Sequence, residues 1–145
     1  MKKSNLFFWI ILFAVFSTNA MAPIQKAKAS WTYHFSKSDV KKGDHVDLIF
    51  TALIDNGWYL YSSDFDPELG PILTSFTIDK NASFELVGKL KAENPKSKFE
   101  EVWGGNVNYF TGKGVFKQTV KILSENPVIK GSSEFQTCNT TSGLC

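Results

Sequence analysis

The sequence predicts an all-β domain, an antiparallel β-sandwich, and three observations carry that expectation. Aromatic residues make up 14% of the chain, with 13 Phe, 4 Trp and 4 Tyr scattered among Thr, Val and Ile. That mixture favours strands and supplies large side chains to bury. Alternating stretches recur at close spacing, about eight in all, with Gly, Pro, Asn and Asp between them. No helical period persists beyond about two turns. A hydrophobic share of 43% and a charged share of 21% are those of a globular protein, which excludes disorder and a multi-span membrane protein. With an export signal set aside, about 120 of the 145 residues remain, enough for a single core.

The chain opens with Lys2 and Lys3, an apolar run from Leu6 to Phe16, and then Ser17, Thr18 and Asn19 before small residues. This is the layout of a secretory signal, expected over residues 1–22. The run is well short of the roughly 20 apolar residues a membrane-crossing helix needs. Cleavage is possible after Ala20, Ala22 or Ala29, and Pro23 argues against the middle position. No Cys follows the run, so the lipid-modified form of such a signal is not available. Residues 23–30 are rich in Lys and Ala without a β pattern and are expected to be a mobile leader, with the domain over residues 31–145, beginning near Trp31.

His45 to Ile54 alternates cleanly, with Val46, Leu48, Phe50, Ala52 and Ile54 on one face, and reads as a strand. Asp55-Asn56-Gly57 follows, and Asn-Gly is a strong short-hairpin signal because both residues tolerate positive φ. Trp58 to Ser62 is the expected returning strand, with Trp58 and Leu60 facing the core and Tyr59 and Tyr61 sharing the outward face. Asp64 to Pro71 reads as a loop, Ile72 to Ile78 and Ser83 to Leu90 as strands, and residues 94–98 as a polar connection. Phe99 to Trp103 and Val107 to Phe110 are short strands or ordered loop, punctuated by Gly104-Gly105 and Gly112-Lys113-Gly114. Val115 to Leu123 puts Phe116, Gln118, Val120 and Ile122 opposite Lys117, Thr119 and Lys121, a core face and a solvated face. In Ser132 to Cys138, Phe135 and Thr137 share one face and Glu134, Gln136 and Cys138 the other, so Cys138 points outward if Phe135 is core. After Cys145 no further strand is written, so the sandwich is expected to lack its last strand unless the chain is a piece of a longer one.

Net charge is +2, and with Lys2 and Lys3 assigned to the signal 14 basic residues face 14 acidic ones. Every basic residue is Lys, so the guanidinium fork that reads guanine edges and clamps phosphates is absent, which argues against nucleic-acid binding. His34 and His45 lie far from the cysteines and match no zinc spacing, so no metal site is expected. No Ser/His/Asp arrangement, phosphate loop or carboxylate pair supports a hydrolase. Asn81-Ala-Ser83 and Asn139-Thr-Thr141 fit the glycan-acceptor pattern, which often arises by chance.

Cys138 and Cys145 are the candidates for chemistry. They enclose six small or polar residues, Asn-Thr-Thr-Ser-Gly-Leu, and in an exported protein such a close pair is a candidate disulfide. A loop this short removes little unfolded-state entropy, which weakens the case for a structural staple. Spacing alone leaves both possibilities open, an exchanging pair and a staple.

Several pieces together resemble the N-terminal periplasmic domain of the thiol:disulfide interchange protein DsbD: Trp58-Tyr-Leu-Tyr61 after Asn-Gly, Gly70-Pro71 leading into Thr74-Ser-Phe76, Val102-Trp-Gly104, and Phe135-Gln-Thr-Cys138 before a second Cys. Their order and spacing carry the resemblance, which spans Trp31 to Cys145. It implies an immunoglobulin-like fold and an exported, periplasmic domain that relays electrons from a membrane-embedded donor and thioredoxin-like proteins to other exported proteins, with no cofactor. It also implies that Cys138 and Cys145 are the redox pair, that Cys145 forms mixed disulfides with partners, and that Tyr59 and Tyr61 sit beside the pair. The family covers its cysteines with a cap loop of acidic residues and an aromatic. The matching stretch here is Glu100-Glu101-Val102, with Val102 in the aromatic's place and Phe99 or Trp103 as substitutes. The alternative function is a non-catalytic immunoglobulin-like binding module with a structural disulfide, offering a sheet face or edge to another protein.

Overall fold

The computed structural model describes residues 27–145, so the expected signal and the first half of the expected leader lie outside the described residues. Among the described residues ten strands are formed: β1 (Ala29–Phe35), β2 (His45–Ile54), β3 (Trp58–Tyr61), β4 (Ser75–Ile78), β5 (Phe84–Ala92), β6 (Lys96–Glu100), β7 (Gly105–Thr111), β8 (Lys113–Ile122), β9 (Gly131–Glu134) and β10 (Thr137–Asn139). They pair antiparallel into a sheet of order β1-β2-β8-β5, a facing sheet of order β10-β3-β7-β6, and a two-stranded sheet of β4 and β9. The fold is an all-β, immunoglobulin-like sandwich. Among the described residues no helix is long and apolar enough to cross a membrane.

The two strands with the clearest alternation lie at the centre of the first sheet. β2 turns Val46, Leu48, Ala52 and Ile54 inward, and β8 turns Phe116, Val120 and Ile122 inward, all buried. Leu60 of β3 and Phe110 of β7 meet them from the other sheet. Phe76 closes the side between the sheets, stacked on Phe50 with ring centroids 3.8 Å apart and set edge-on to Trp31 at 5.2 Å. Buried Gln118 sits on the apolar face of β8, where its amide donates to the carbonyl of Val87 at 3.1 Å, beside an irregularity in β5 at Gly88 (φ 70°).

Several expectations are corrected. The strand β1 starts at Ala29, so Ala29 and Ser30 are part of the domain; Ala29 is buried in the core beside Ala52 and Ile54, which draws the chain into the sheet there. The Asp55-Asn56-Gly57 turn forms, but it does not make a hairpin. Both edges of β2 are occupied, by β1 and by β8, so the chain leaving the turn crosses to the facing sheet as β3. Thr111-Gly112-Lys113 carries the chain back from β7 to β8 alongside it, and Ile54 N donates to Gly112 O at 2.8 Å. The strand expected from Ile72 begins at Ser75, because Ile72 and Thr74 spend their backbone N–H groups on Gln136 and on Ser62 O. The polar connection at residues 94–98 shrinks to a turn, as Lys96 to Lys98 already pair with β7. The last expected strand divides at Phe135 and Gln136. Its first half pairs with β4, Phe135 enters the core against Trp31, and its second half becomes the edge strand beside β3.

Candidate functional site

The register of the second sheet assembles the site. Cys138 lies opposite Tyr59, Tyr61 opposite Tyr109, Lys98 opposite Val107 and Glu100 opposite Gly105. Alternation then puts all these side chains on the face turned away from the sandwich core. That face is not solvated as the outward position of Tyr59 and Tyr61 suggests. Tyr59, Tyr61, Val107 and Cys138 are buried there in a second apolar cluster, covered by Phe65 and Leu69 from the segment after β3 and flanked by Tyr109. The covering segment contains a single 3-10 turn over Pro67–Leu69, started by the Asp66 side chain accepting from Glu68 N.

Cys138 and Cys145 form a disulfide. The two sulfurs have different surroundings. Cys138 is 0% exposed, whereas Cys145 is exposed and lines an open cleft with Lys28, Trp58, Phe135, Gln136 and Thr137. Trp58, expected only in the core, therefore serves both sides: it packs on the core and forms part of this cleft, with the Lys28 Nζ 5.2 Å over its ring. The intervening loop is closed by its own bonds. Asn139 Oδ1 accepts from Thr141 N and Ser142 N, Asn139 N donates to Leu144 O, and Gly143 takes a φ of 69° that other residues rarely adopt. Thr140 docks the loop on the inter-sheet turn, its N–H and its hydroxyl both donating to Gly57 O, at 2.9 and 3.0 Å.

The tyrosines form a hydrogen-bonded chain with a fixed direction. Trp103 Nε1 donates to Tyr61 Oη at 3.3 Å, the two hydroxyls are 3.4 Å apart, and Tyr59 Oη donates to Glu100 Oε1 at 3.3 Å. An indole N–H can only donate and a carboxylate paired with Lys98 can only accept, so Tyr61 must donate to Tyr59. Burial pushes the hydroxyl pKa of both tyrosines upward, and for Tyr61 donation to Tyr59 adds to the rise. Lys98 Nζ also lies 3.8 Å from the Tyr59 ring centroid and 4.9 Å from that of Tyr109, where the negative ring faces attract it.

Of the candidate cap residues, Glu100 and Trp103 hydrogen-bond to the tyrosine pair. Phe99 lies opposite Asn106 on the other face of β6 and is 63% exposed, Val102 is 82% exposed at the tip of the turn, and Glu101 is exposed. The Trp103 ring also packs on Gly70, leaving no room for a Cβ there. Two participants, Lys98 and Tyr109, escaped sequence reasoning, and a third, Gln136, was seen without its contact to the sulfur. Lys98 and Tyr109 share the face of Glu100 and Tyr61 by register, which only pairing reveals. Gln136 was placed on the face of Cys138 by its spacing of two, and its amide nitrogen lies 3.7 Å from Cys138 Sγ. Among the described residues no group of three or more His, Cys, Asp and Glu is placed to hold a metal ion. The arrangement offers one exposed and one buried sulfur of a single disulfide, beside a neutral aromatic wall.

A model of the family described as "Thiol:disulfide interchange protein DsbD, N-terminal" matches residues 24–145. No curated protein and no solved structure matches the chain.

Proposed function

Because the chain belongs to the family of the N-terminal domain of the thiol:disulfide interchange protein DsbD, we propose that it is an exported, periplasmic exchange domain relaying electrons through Cys138 and Cys145. Its partners are thioredoxin-like redox proteins, supplied by a membrane-embedded electron donor, and the downstream acceptors are periplasmic disulfide proteins. Exchange between sulfurs needs no cofactor.

The observation that carries this reading is the asymmetry of the disulfide, with Cys138 fully buried and Cys145 exposed in an open cleft. A partner thiolate reaches the Cys145 sulfur, forms a mixed disulfide with it, and expels Cys138 as a thiolate. The partner's second thiolate then attacks its own sulfur in the mixed disulfide and releases Cys145. Two electrons have moved, the partner dithiol being oxidised and the Cys138/Cys145 pair reduced. The dithiol reduces an acceptor by the same steps in reverse, starting from the Cys145 thiolate. Tyr59 and Tyr61 act as a neutral wall against Cys138 that keeps oxidants and stray thiols from the buried sulfur. Glu100 and Trp103 hold that wall in place and act as positioning residues.

Titration in graded glutathione buffers, with free thiols trapped by alkylation and counted by mass spectrometry, tests the reading. An exchanging pair has a potential of roughly −180 to −270 mV, and a value below about −300 mV would make the disulfide a staple and the chain a binding module. Cys145→Ser should abolish exchange with the fold intact, and survival of exchange in that variant would overturn the mechanism.

A further inference from the structure

The buried sulfur has a difficult task in this scheme. When the disulfide opens from the Cys145 side, negative charge forms on Cys138 Sγ, which is 0% exposed and surrounded by Tyr59, Tyr61 and Val107. Water cannot solvate that charge, and a thiolate formed without compensation is a poor leaving group.

Gln136 is held where it can compensate. Its Oε1 accepts from Ile72 N at 2.7 Å, and its own backbone O accepts from Tyr61 N at 3.1 Å. A backbone N–H can only donate, so the oxygen end of the amide is committed to Ile72 and the NH2 end must face Cys138, where Nε2 stands 3.7 Å from Sγ. The amide is thus fixed before reaction by a segment distant in sequence, the stretch between the 3-10 turn and β4.

We propose that Gln136 is a catalytic residue of the exchange, donating an amide N–H to the charge that develops on Cys138 Sγ as the disulfide opens. This rests on the exchange reading above. A disulfide sulfur is a weak acceptor and a thiolate a strong one, so the bond strengthens as the reaction proceeds and lowers the barrier more than it stabilises the starting disulfide. In the forward step the attacking thiolate's electron pair forms the bond to Cys145 Sγ, and the pair of the broken S–S bond remains on Cys138 Sγ. After the second partner thiolate frees Cys145, both thiolates of the domain take up protons from solvent.

Two variants separate this role from anchoring of the loop. Gln136→Glu keeps an oxygen for Ile72 N but puts a carboxylate oxygen where the donor stood, and Gln136→Met removes both groups at similar length. With dithiothreitol as the attacking thiol, disulfide opening should slow about tenfold in Gln136→Met and further in Gln136→Glu, as expected for losing one charge-assisted bond. In the fully reduced chain, the Cys138 Cβ chemical shift followed against pH should report a midpoint raised by about one pH unit in Gln136→Met, and more in Gln136→Glu. A purely structural role predicts lower stability and a wild-type midpoint in Gln136→Met, since Gln136→Glu adds a like charge that raises the midpoint whatever the role of the amide; a wild-type midpoint in Gln136→Met would overturn the proposal. The midpoint is read without any partner. A failure of the exchange reading would appear separately, as a wild-type potential outside the exchanging range.

Discussion

Tyr61 condenses the chemistry of the site into one side chain. Its ring is buried against Phe65, its hydroxyl accepts from Trp103 Nε1 and donates to Tyr59 Oη, and its backbone O accepts from Thr74 Oγ1 at 2.6 Å. Because burial raises the pKa of both tyrosines above the ordinary value near 10, the folded chain keeps protons there that the unfolded chain releases. Their contribution to stability is full below about pH 10 and declines as pH rises from there through the folded values. Absorbance near 295 nm should therefore show Tyr59 and Tyr61 ionising later than free tyrosine, and ionising with unfolding in the wild type. Early ionisation of both would mean that the face is open to water. Trp103→Phe keeps the ring over Gly70 and deletes the donor to Tyr61; a loss of about 1 kcal/mol in denaturant unfolding is expected, the ordinary worth of such a bond. At this scale the sequence was legible as far as side-chain direction goes. The period of two puts Tyr59, Tyr61 and Cys138 on one side, but Phe65, Leu69 and Trp103, which cover that side, belong to other segments.

Short connections carry the site at the scale of elements. The inter-sheet turn at Asn56-Gly57 is both the crossing between the sheets and the platform for the cysteine loop, through the two bonds of Thr140 to Gly57 O. Thr140→Val removes the hydroxyl and keeps the backbone bond. Amide exchange over residues 139–144 should speed up several-fold, while the melting point of the sandwich changes little, since the loop is exposed and the lost bond is worth about 1 kcal/mol. Gly131 is a stricter requirement, for a Cβ there would collide with the Thr77 carbonyl in the β4–β9 pair. Gly131→Ala should cost roughly 1–3 kcal/mol, and loss of the Ser75–Glu134 to Ile78–Gly131 pairing should be visible in backbone NMR shifts. The alternation of β2 and β8 was readable because it is local and repeated over ten residues each. The destination of β3 was not, because an Asn-Gly turn specifies a reversal and says nothing of which sheet edge is free.

For the whole molecule, the disulfide must be able to open without loss of the fold. It closes a loop of sequence separation 7 that is tied to the sandwich through β10 and the inter-sheet turn, and neither cysteine belongs to the two clusters that make the core between the sheets. Chain entropy limits its contribution to about 2.5 kcal/mol for so short a loop. Reduced and oxidised forms should both melt cooperatively, the reduced one several degrees lower; unfolding on reduction would be incompatible with an exchange cycle. By itself the sequence determined the all-β class, the membership signalled by the ordered motifs, the cysteine pair, and which side chains share a face, because each of these follows from covalent order or from a period of two. Tertiary structure alone decided that β3 crosses to the other sheet, that Cys138 is buried while Cys145 is exposed, that Trp103 and Glu100 rather than Phe99 or Val102 reach the tyrosines, and that Ile72 orients Gln136, 64 residues away. Those outcomes depend on which distant segments compete for the same edge or the same patch of apolar surface, and that competition is resolved only when the whole core packs.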